Sequence, residues 1–143
     1  MTNLQAAVGL AQLERLDEFV EKKRAMGKRY TELLADVPSI RLPLAKTDYS
    51  ENIYWVYGVV LEDEIRLNSE EAIKRLAKKN IGCRPFFCPM HQQPVLKRLG
   101  LFENEEYPGA EYLYRKGFYV PSGIGLTKAQ MDRVALAVRE VVS

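Results

Sequence analysis

The sequence predicts an α+β domain, and three observations support this class. A long N-terminal stretch without proline predicts a helix, and a β-branched and aromatic run over 53–61 predicts a buried strand. Capped amphipathic segments then alternate with short extended pieces to the end of the chain. The 143 residues carry a net charge of +2 and are 47% hydrophobic, which is ordinary for one globular domain.

Composition excludes several classes of protein. No apolar run approaches the roughly 18 residues that cross a bilayer, and the N-terminus lacks a signal-peptide pattern. The nearly balanced charge gives no support for nucleic-acid binding. Cys83 and Cys88 are the only cysteines, too few for a disulfide scaffold, so the expected location is the cytoplasm.

The first element is predicted as one long helix from Asn3 to Ala35, within a segment 1–36. Thr2 and Gln5 fit a capping box, in which each side chain accepts a hydrogen bond from a free backbone amide. From Leu4 to Leu13 the segment is apolar on nearly every face, and after that it narrows to a stripe. A helix that is apolar all round must be covered all round.

This helix is too long for the domain. About 33 residues span roughly 50 Å, whereas a compact domain of this size measures roughly 35–40 Å across. We therefore expect the apolar end to project beyond the domain and to be covered by another domain or subunit. The alternative is a bend near Gly27 that folds the helix back.

Residues 37–143 are predicted as a small domain of short strands and capped helices. Strands are expected at Ile40 to Leu42, 53–61, 81–87 and 118–120. Helices are expected after Asn68 (to about Lys79), from Pro94, from Pro108, and after the capping box of Thr127 and Gln130. The run over 53–61 does not alternate, which indicates a central strand covered on both faces.

The loop between Arg84 and Pro94 is the best candidate for a ligand pocket. It contains His91, the only histidine, together with Phe86 and Phe87 and three prolines. Stiff loops that carry arginine, histidine and aromatic residues often line binding sites. The alternative, which composition alone favours, is that His91 is a surface residue and that both phenylalanines belong to the core.

No complete catalytic or metal-binding set is visible from the residues. Cys83 and Cys88 have only one histidine nearby, His91, and these three residues are too few for a four-ligand zinc site. A cysteine–histidine nucleophile pair is conceivable, but no third residue that would orient the histidine can be named, so structural thiols are the favoured interpretation. Basic residues on the helix after Asn68 fit either phosphate attraction or a solvated face.

Four stretches resemble a known family. They are the opening MTNLQAAVGLAQLERLDEFVEKKRAMGKRYTELL, the segments NIYWVYGVVL and IGCRPFFCPMHQQP, and the ending FYVPSGIGLTKAQMDRV, and they are similar to the C-terminal part of DegT/DnrJ/EryC1/StrS sugar aminotransferases. The RPFFxPxHxxP loop with YWVYG is most similar to the perosamine synthetase branch. The resemblance implies a small C-terminal domain of fold type I, with a short, mostly antiparallel sheet packed by helices.

The resemblance also implies a function for the whole enzyme. Such enzymes use pyridoxal 5'-phosphate to move an amino group from glutamate to a nucleotide-linked keto-deoxysugar. Their Schiff-base lysine lies before the region matching Met1, so the expectation is that this chain holds no catalytic residue and is inactive alone. The N-terminal helix would join a homodimer. The alternative is a stand-alone sugar-nucleotide-binding or dimerisation module without catalysis.

The resemblance assigns candidate site residues. His91 is expected to contact the nucleotide-sugar, supported by Arg84, Phe86 and Phe87. Thr2 and Asn3 continue a segment that reaches the cofactor site in the family, which makes Asn3 a candidate for cofactor contact. No metal site, nucleic-acid partner or membrane contact is expected.

Overall fold

The computed structural model describes all 143 residues as six α-helices, a short 3-10 helix and four strands. In chain order these are α1 (Asn3–Leu13), α2 (Leu16–Leu34), β1 (Ile40–Arg41), β2 (Tyr57–Leu61), α3 (Ser69–Lys78), β3 (Arg84–Pro85), the 3-10 helix (Met90–Gln92), α4 (Pro94–Arg98), α5 (Pro108–Lys116), β4 (Gly117–Val120) and α6 (Lys128–Val142). The predicted mixture of helices with a small antiparallel sheet is confirmed.

Helix starts agree with the capping residues of the sequence. Thr2 caps α1, Asn68 caps α3 and Thr127 caps α6, each in a complete capping box with the residue three positions later. Pro94 and Pro108 begin α4 and α5, where the missing amide proton costs nothing. These starts were predictable because each is specified within four residues.

The N-terminal segment is two helices, where the sequence predicts one. The break lies at Glu14 and Arg15, where the Arg15 amide donates to the Gln12 carbonyl instead of continuing the α-helical pattern. The Arg15 guanidinium donates twice to Glu18, and it lies 5.0 Å from the centre of the Phe19 ring. The alternative bend at Gly27 is wrong, because Gly27 lies inside α2.

The sheet has the strand order β1-β2-β4-β3, and every neighbouring pair is antiparallel. Strand β2 is central and nearly all of it is buried, as the unalternating run predicted. It is shorter than expected, because residues 53–56 leave the strand and Tyr54 has a positive φ of 51°. The two outer strands, β1 and β3, contain two residues each.

The core lies between the sheet and helices α2, α3 and α6. Tyr30 on α2 and Tyr57 on β2 are fully buried with ring centres 5.0 Å apart. Their hydroxyls are satisfied, because Tyr30 donates to the Pro121 carbonyl and Tyr57 bonds Thr31. Burial raises the pKa of Tyr57 to about 12. Helix α6 buries one face against this core, which includes Met131, Val134, Val138, Val141 and Val142.

Helix α1 contributes no residue to this core. All of its residues are exposed, including Leu4 at 76% and Leu13 at 64%. Within this chain the apolar N-terminal end is therefore uncovered, and its expected burial against another domain or subunit stays a prediction. No helix in the structure is both long and apolar enough to cross a membrane.

Candidate functional site

The loop after β3 forms one side of an apolar cavity, which we call the aromatic groove. Its volume is about 320 Å³, and eight of its nine lining residues are hydrophobic. The lining residues are Trp55, Val56, Phe86, Phe87, Pro89, Ala110, Leu113, Tyr114 and Tyr119. The groove therefore brings together two predicted site residues, the segment before β2, the strand β4 and one face of α5.

Phe86 is seated in this groove by two glycines. A Cβ at Gly117 would lie 2.4 Å from Phe86 Cδ2, and a Cβ at Gly58 would lie 2.9 Å from Phe86 Cζ. Gly58 and Gly117 are on the paired strands β2 and β4, so the ring lies across the sheet where no side chain projects. Phe87, the next residue, is 75% exposed, so the alternative that both phenylalanines belong to the core is wrong.

Arg84 lines a second cavity that adjoins the groove, and we call it the arginine cleft. This cavity is about 280 Å³ and shares Trp55, Val56 and Tyr119 with the groove. The Arg84 side chain makes no hydrogen bond or ion pair in the structure. No aspartate or glutamate lines either cavity, so this guanidinium is an uncompensated positive charge.

His91 lines neither the groove nor the arginine cleft. Its side chain is 9% exposed, and Nε2 donates to Glu111 Oε1 at 2.8 Å. The imidazole also packs against Tyr107, with ring centres 4.9 Å apart. Since Glu111 is on α5 between Ala110 and Leu113, the His91–Glu111 bond holds the 3-10 helix against the helix that walls the groove.

Trp55 is a lining residue that the sequence reasoning missed. It was assigned to the interior of a strand, but its side chain is 70% exposed at the junction of both cavities. Its backbone is held in place, because Lys23 Nζ donates to the Trp55 carbonyl at 2.9 Å and to the Ser122 carbonyl at 2.5 Å. Burial lowers the pKa of this lysine.

A larger cavity lies elsewhere, and its charges are already partly paired. It measures about 500 Å³ and lies between the start of α3 and the end of α5. Lys74 in its wall is bonded to Glu70, which also lines it. It contains none of the predicted site residues, so we place the candidate site at the groove and the arginine cleft.

The cysteines have a structural environment. Burial raises the pKa of the Cys83 thiol to about 12, which leaves almost no thiolate near neutral pH. The Cys88 thiol is partly buried and faces the Pro89 carbonyl. Both cysteines are free, and no group of three histidine, cysteine, aspartate or glutamate residues is placed to hold a metal ion.

Asn3, the candidate for cofactor contact, is the first residue of α1. It is exposed and lines neither the groove nor the arginine cleft. The structure therefore does not bring Asn3 together with the other four predicted site residues.

Comparison with known sequences identifies a family over almost the whole chain. The DegT/DnrJ/EryC1/StrS aminotransferase family matches residues 1–139. GDP-perosamine synthase of Caulobacter vibrioides is 33% identical over 142 residues, covering 99% of this chain and 38% of the relative. GDP-perosamine synthase of Vibrio cholerae is 31% identical over 140 residues, covering 97% of this chain and 37% of the relative.

Solved structures agree with this result. A candidate sugar aminotransferase of Streptococcus pneumoniae in its PMP-form superposes with a TM-score of 0.88 at 25% identity. The match covers 99% of this chain and 35% of that one, and the PLP-form of the same protein gives a TM-score of 0.87. The chain thus spans somewhat more than a third of the length of the relatives that it matches.

Proposed function

We propose, since this chain belongs to the DegT/DnrJ/EryC1/StrS aminotransferase family, that it supplies one wall of the nucleotide-sugar site of an aminotransferase. The complete enzyme would move an amino group from glutamate to the keto carbon of a nucleotide-linked deoxysugar. The two relatives named GDP-perosamine synthase support a GDP-linked sugar as the substrate. The observation that carries the proposal is the meeting of Arg84, Phe86 and Phe87 at adjoining cavities.

The cofactor of the family is pyridoxal phosphate, which stabilises negative charge on the reacting carbon when it is bound. A lysine that binds it covalently needs an amine that is free and easily deprotonated. Lys116 is the one buried lysine, and its Nζ donates to three backbone carbonyls, at 2.7 Å to Ile65 and 3.3 Å to Leu67 among them. Lys23 is bound to two carbonyls. These two lysines, the most enclosed by backbone carbonyls, therefore do not fit the role.

We infer that the cofactor lysine belongs to a part of the enzyme outside these 143 residues and that the chain alone is inactive. Asn3, exposed at the start of α1, remains our candidate for an approach to the cofactor. Pyridoxal phosphate added to the chain should give no stoichiometric absorbance band from a covalent lysine adduct. Such a band, mapped to one lysine by mass spectrometry, would contradict the inference.

In this proposal Arg84, Phe86 and Phe87 contact the substrate directly, whereas His91 acts through another residue. Arg84 offers an unpaired guanidinium, which suits a phosphate, while Phe86 and Phe87 offer apolar surface. His91 is bonded to Glu111, so it acts by fixing α5 against the loop. For His91 Nε2 to bond the substrate, its hydrogen bond to Glu111 would first have to break.

The test is amino transfer in the complete enzyme that contains this chain. With glutamate and a GDP-linked 4-keto-6-deoxysugar, mass spectrometry should detect the amino sugar. Arg84→Gln should raise KM for the sugar nucleotide more than it lowers kcat, because its contact is with a non-reacting part of the substrate. The matched control is Arg98→Gln, an exposed arginine that lines neither cavity. No amino sugar from any nucleotide-linked ketosugar would contradict the proposal.

A homodimer through α1 belongs to the same proposal, as does a cytoplasmic location. The apolar side chains of α1 are exposed on every face, and a surface of that kind normally contacts another subunit or domain. Leu10→Glu should shift the sedimentation coefficient of the chain from dimer to monomer. Gln12→Glu, which adds the same charge at a polar position of the same helix and leaves the cap of Thr2 and Gln5 in place, is the control that should leave the dimer intact.

A further inference from the structure

The aromatic groove is lined by two exposed aromatic side chains, Trp55 and Phe87. Trp55 is 70% exposed, yet its carbonyl accepts a hydrogen bond from Lys23, and the neighbouring Tyr54 is buried. Phe87 is 75% exposed and lies between Phe86, seated in the sheet, and Cys88. Two large aromatic side chains that line the same groove and project into water from anchored backbone make a surface suited to a flat apolar ligand.

The size and chemistry of the groove select one part of a nucleotide-sugar. A volume of about 320 Å³ is at the small end of ligand pockets, which suits one ring system. A hexose carries hydroxyl groups around its ring and would lose their hydrogen bonds to water against walls of this kind. A nucleobase has two apolar faces that stack on aromatic side chains. The groove therefore suits the base better than the sugar.

Charge determines the direction in which such a ligand would lie. Arg84 is in the adjoining cleft, its guanidinium is unpaired, and no carboxylate lines either cavity. A guanidinium binds phosphate oxygens with two parallel hydrogen bonds, so it complements a diphosphate. Trp55 and Tyr119 line both cavities, which places the apolar surface and the positive charge on one continuous path.

We propose that the aromatic groove binds the base of the nucleotide-sugar against Trp55 and Phe87, with the diphosphate directed to Arg84. This assignment rests on the proposed function for the class of substrate. It adds which half of the substrate this domain holds, and it makes Trp55 a binding residue.

Trp55 is the only tryptophan and lines both the groove and the arginine cleft, so tryptophan fluorescence reports on this pair of cavities. We would titrate the chain with GDP, guanosine and inorganic pyrophosphate, and measure tryptophan quenching and heat of binding. GDP should quench saturably, guanosine should quench with weaker affinity, and pyrophosphate should bind without stacking on the indole. Phe87→Ala should weaken GDP binding about 5- to 150-fold, equivalent to roughly 1–3 kcal/mol of stacking.

Two further variants separate the parts of the proposal. Arg84→Gln should weaken GDP binding but leave guanosine binding unchanged. Tyr49→Ala is the matched control, because Tyr49 is 86% exposed in a polar loop and lines neither cavity, so GDP binding should be unaffected.

The outcomes are distinct from those of the amino-transfer assay. If calorimetry detects GDP binding without quenching, or if Phe87→Ala binds GDP normally, the base lies elsewhere and only the groove assignment fails. If neither method detects binding, the assignment also fails, while the proposed function is still decided by the amino sugar product.

Discussion

The packing of the Phe86 ring against Gly58 and Gly117 predicts a change in stability whose magnitude follows from the interatomic distances. Gly58→Ala places a Cβ 2.9 Å from Phe86 Cζ and 3.2 Å from Cε1, so the end of the ring must move by about 0.5 Å to reach ordinary contact. Overpacking of this kind costs roughly 1 kcal/mol or slightly more. This loss of stability is partly offset, because alanine in a strand is more stable than glycine by about 0.5–1 kcal/mol. The net loss of unfolding free energy should be small.

The effect of Gly58→Ala on the unfolding free energy should change from destabilising to stabilising once the Phe86 ring is removed. In a Phe86→Ala background, Gly58→Ala meets no side chain and should stabilise the protein by roughly 0.5 kcal/mol. Gly117→Ala should stay destabilising in both backgrounds, by about 2–3 kcal/mol, because its Cβ also meets the Leu113 carbonyl at 2.5 Å. The contrast between the two glycines is the test of the geometry.

The assay is urea unfolding followed by circular dichroism for the four proteins of each double-mutant cycle. A coupling energy of about 1 kcal/mol between Gly58→Ala and Phe86→Ala is expected, well above the roughly 0.3–0.5 kcal/mol scatter of independent sites. If the effects of Gly58→Ala and Phe86→Ala on the unfolding free energy are additive, the contact between the Phe86 ring and the sheet is refuted. Phe86 would then not line the groove in the way described.

Three other perturbations have expected outcomes. Lys23→Met should lower the unfolding free energy by roughly 1.5–3 kcal/mol in urea denaturation, because two hydrogen bonds from a charged group are lost; an unchanged midpoint would contradict the anchoring role. Gly27→Ala should destabilise by about 1–3 kcal/mol in the same assay, because its Cβ would lie 2.3 Å from the Tyr54 ring, and a gain in stability would exclude that packing. Burial raises the pKa of Cys83 to about 12, above its value near 9 in the unfolded chain, so the folded state favours the neutral thiol. The contribution of this thiol to folding stability is therefore complete below pH 9 and is lost as the pH rises to about 12. Cys83→Ala should therefore unfold at higher pH than the parent when ellipticity is followed through that range, and an unmoved alkaline midpoint would show that the thiol is not the responsible group.

Local signals in the sequence predicted the fold better than the site. The capping boxes at Thr2, Asn68 and Thr127 are complete within four residues, so the starts of α1, α3 and α6 could be read directly. The break at Arg15 could not, because neither proline nor glycine marks it and its bonds to Glu18 are equally compatible with a continuous helix.

The site depends on contacts between distant segments. Trp55 was assigned to a strand because its neighbours favour β structure, whereas the positive φ of Tyr54 turns the chain out of the sheet before Tyr57. The His91–Glu111 bond joins residues 20 positions apart, and no motif connects them. The grouping of Arg84, Phe86 and Phe87 was foreseen because they share one loop.

The ends of the sheet determine how this domain can associate with itself. Each outer strand has only two residues, and Pro85 removes a backbone donor from one of them. An incoming strand would find almost no ladder to extend, so growth into β-sheet aggregates is blocked at both margins. Under the proposed dimer, the isolated chain would instead associate through the exposed apolar side chains of α1. Its self-association should therefore be helical, limited in size and reversible on dilution, without the seeded kinetics of a fibril.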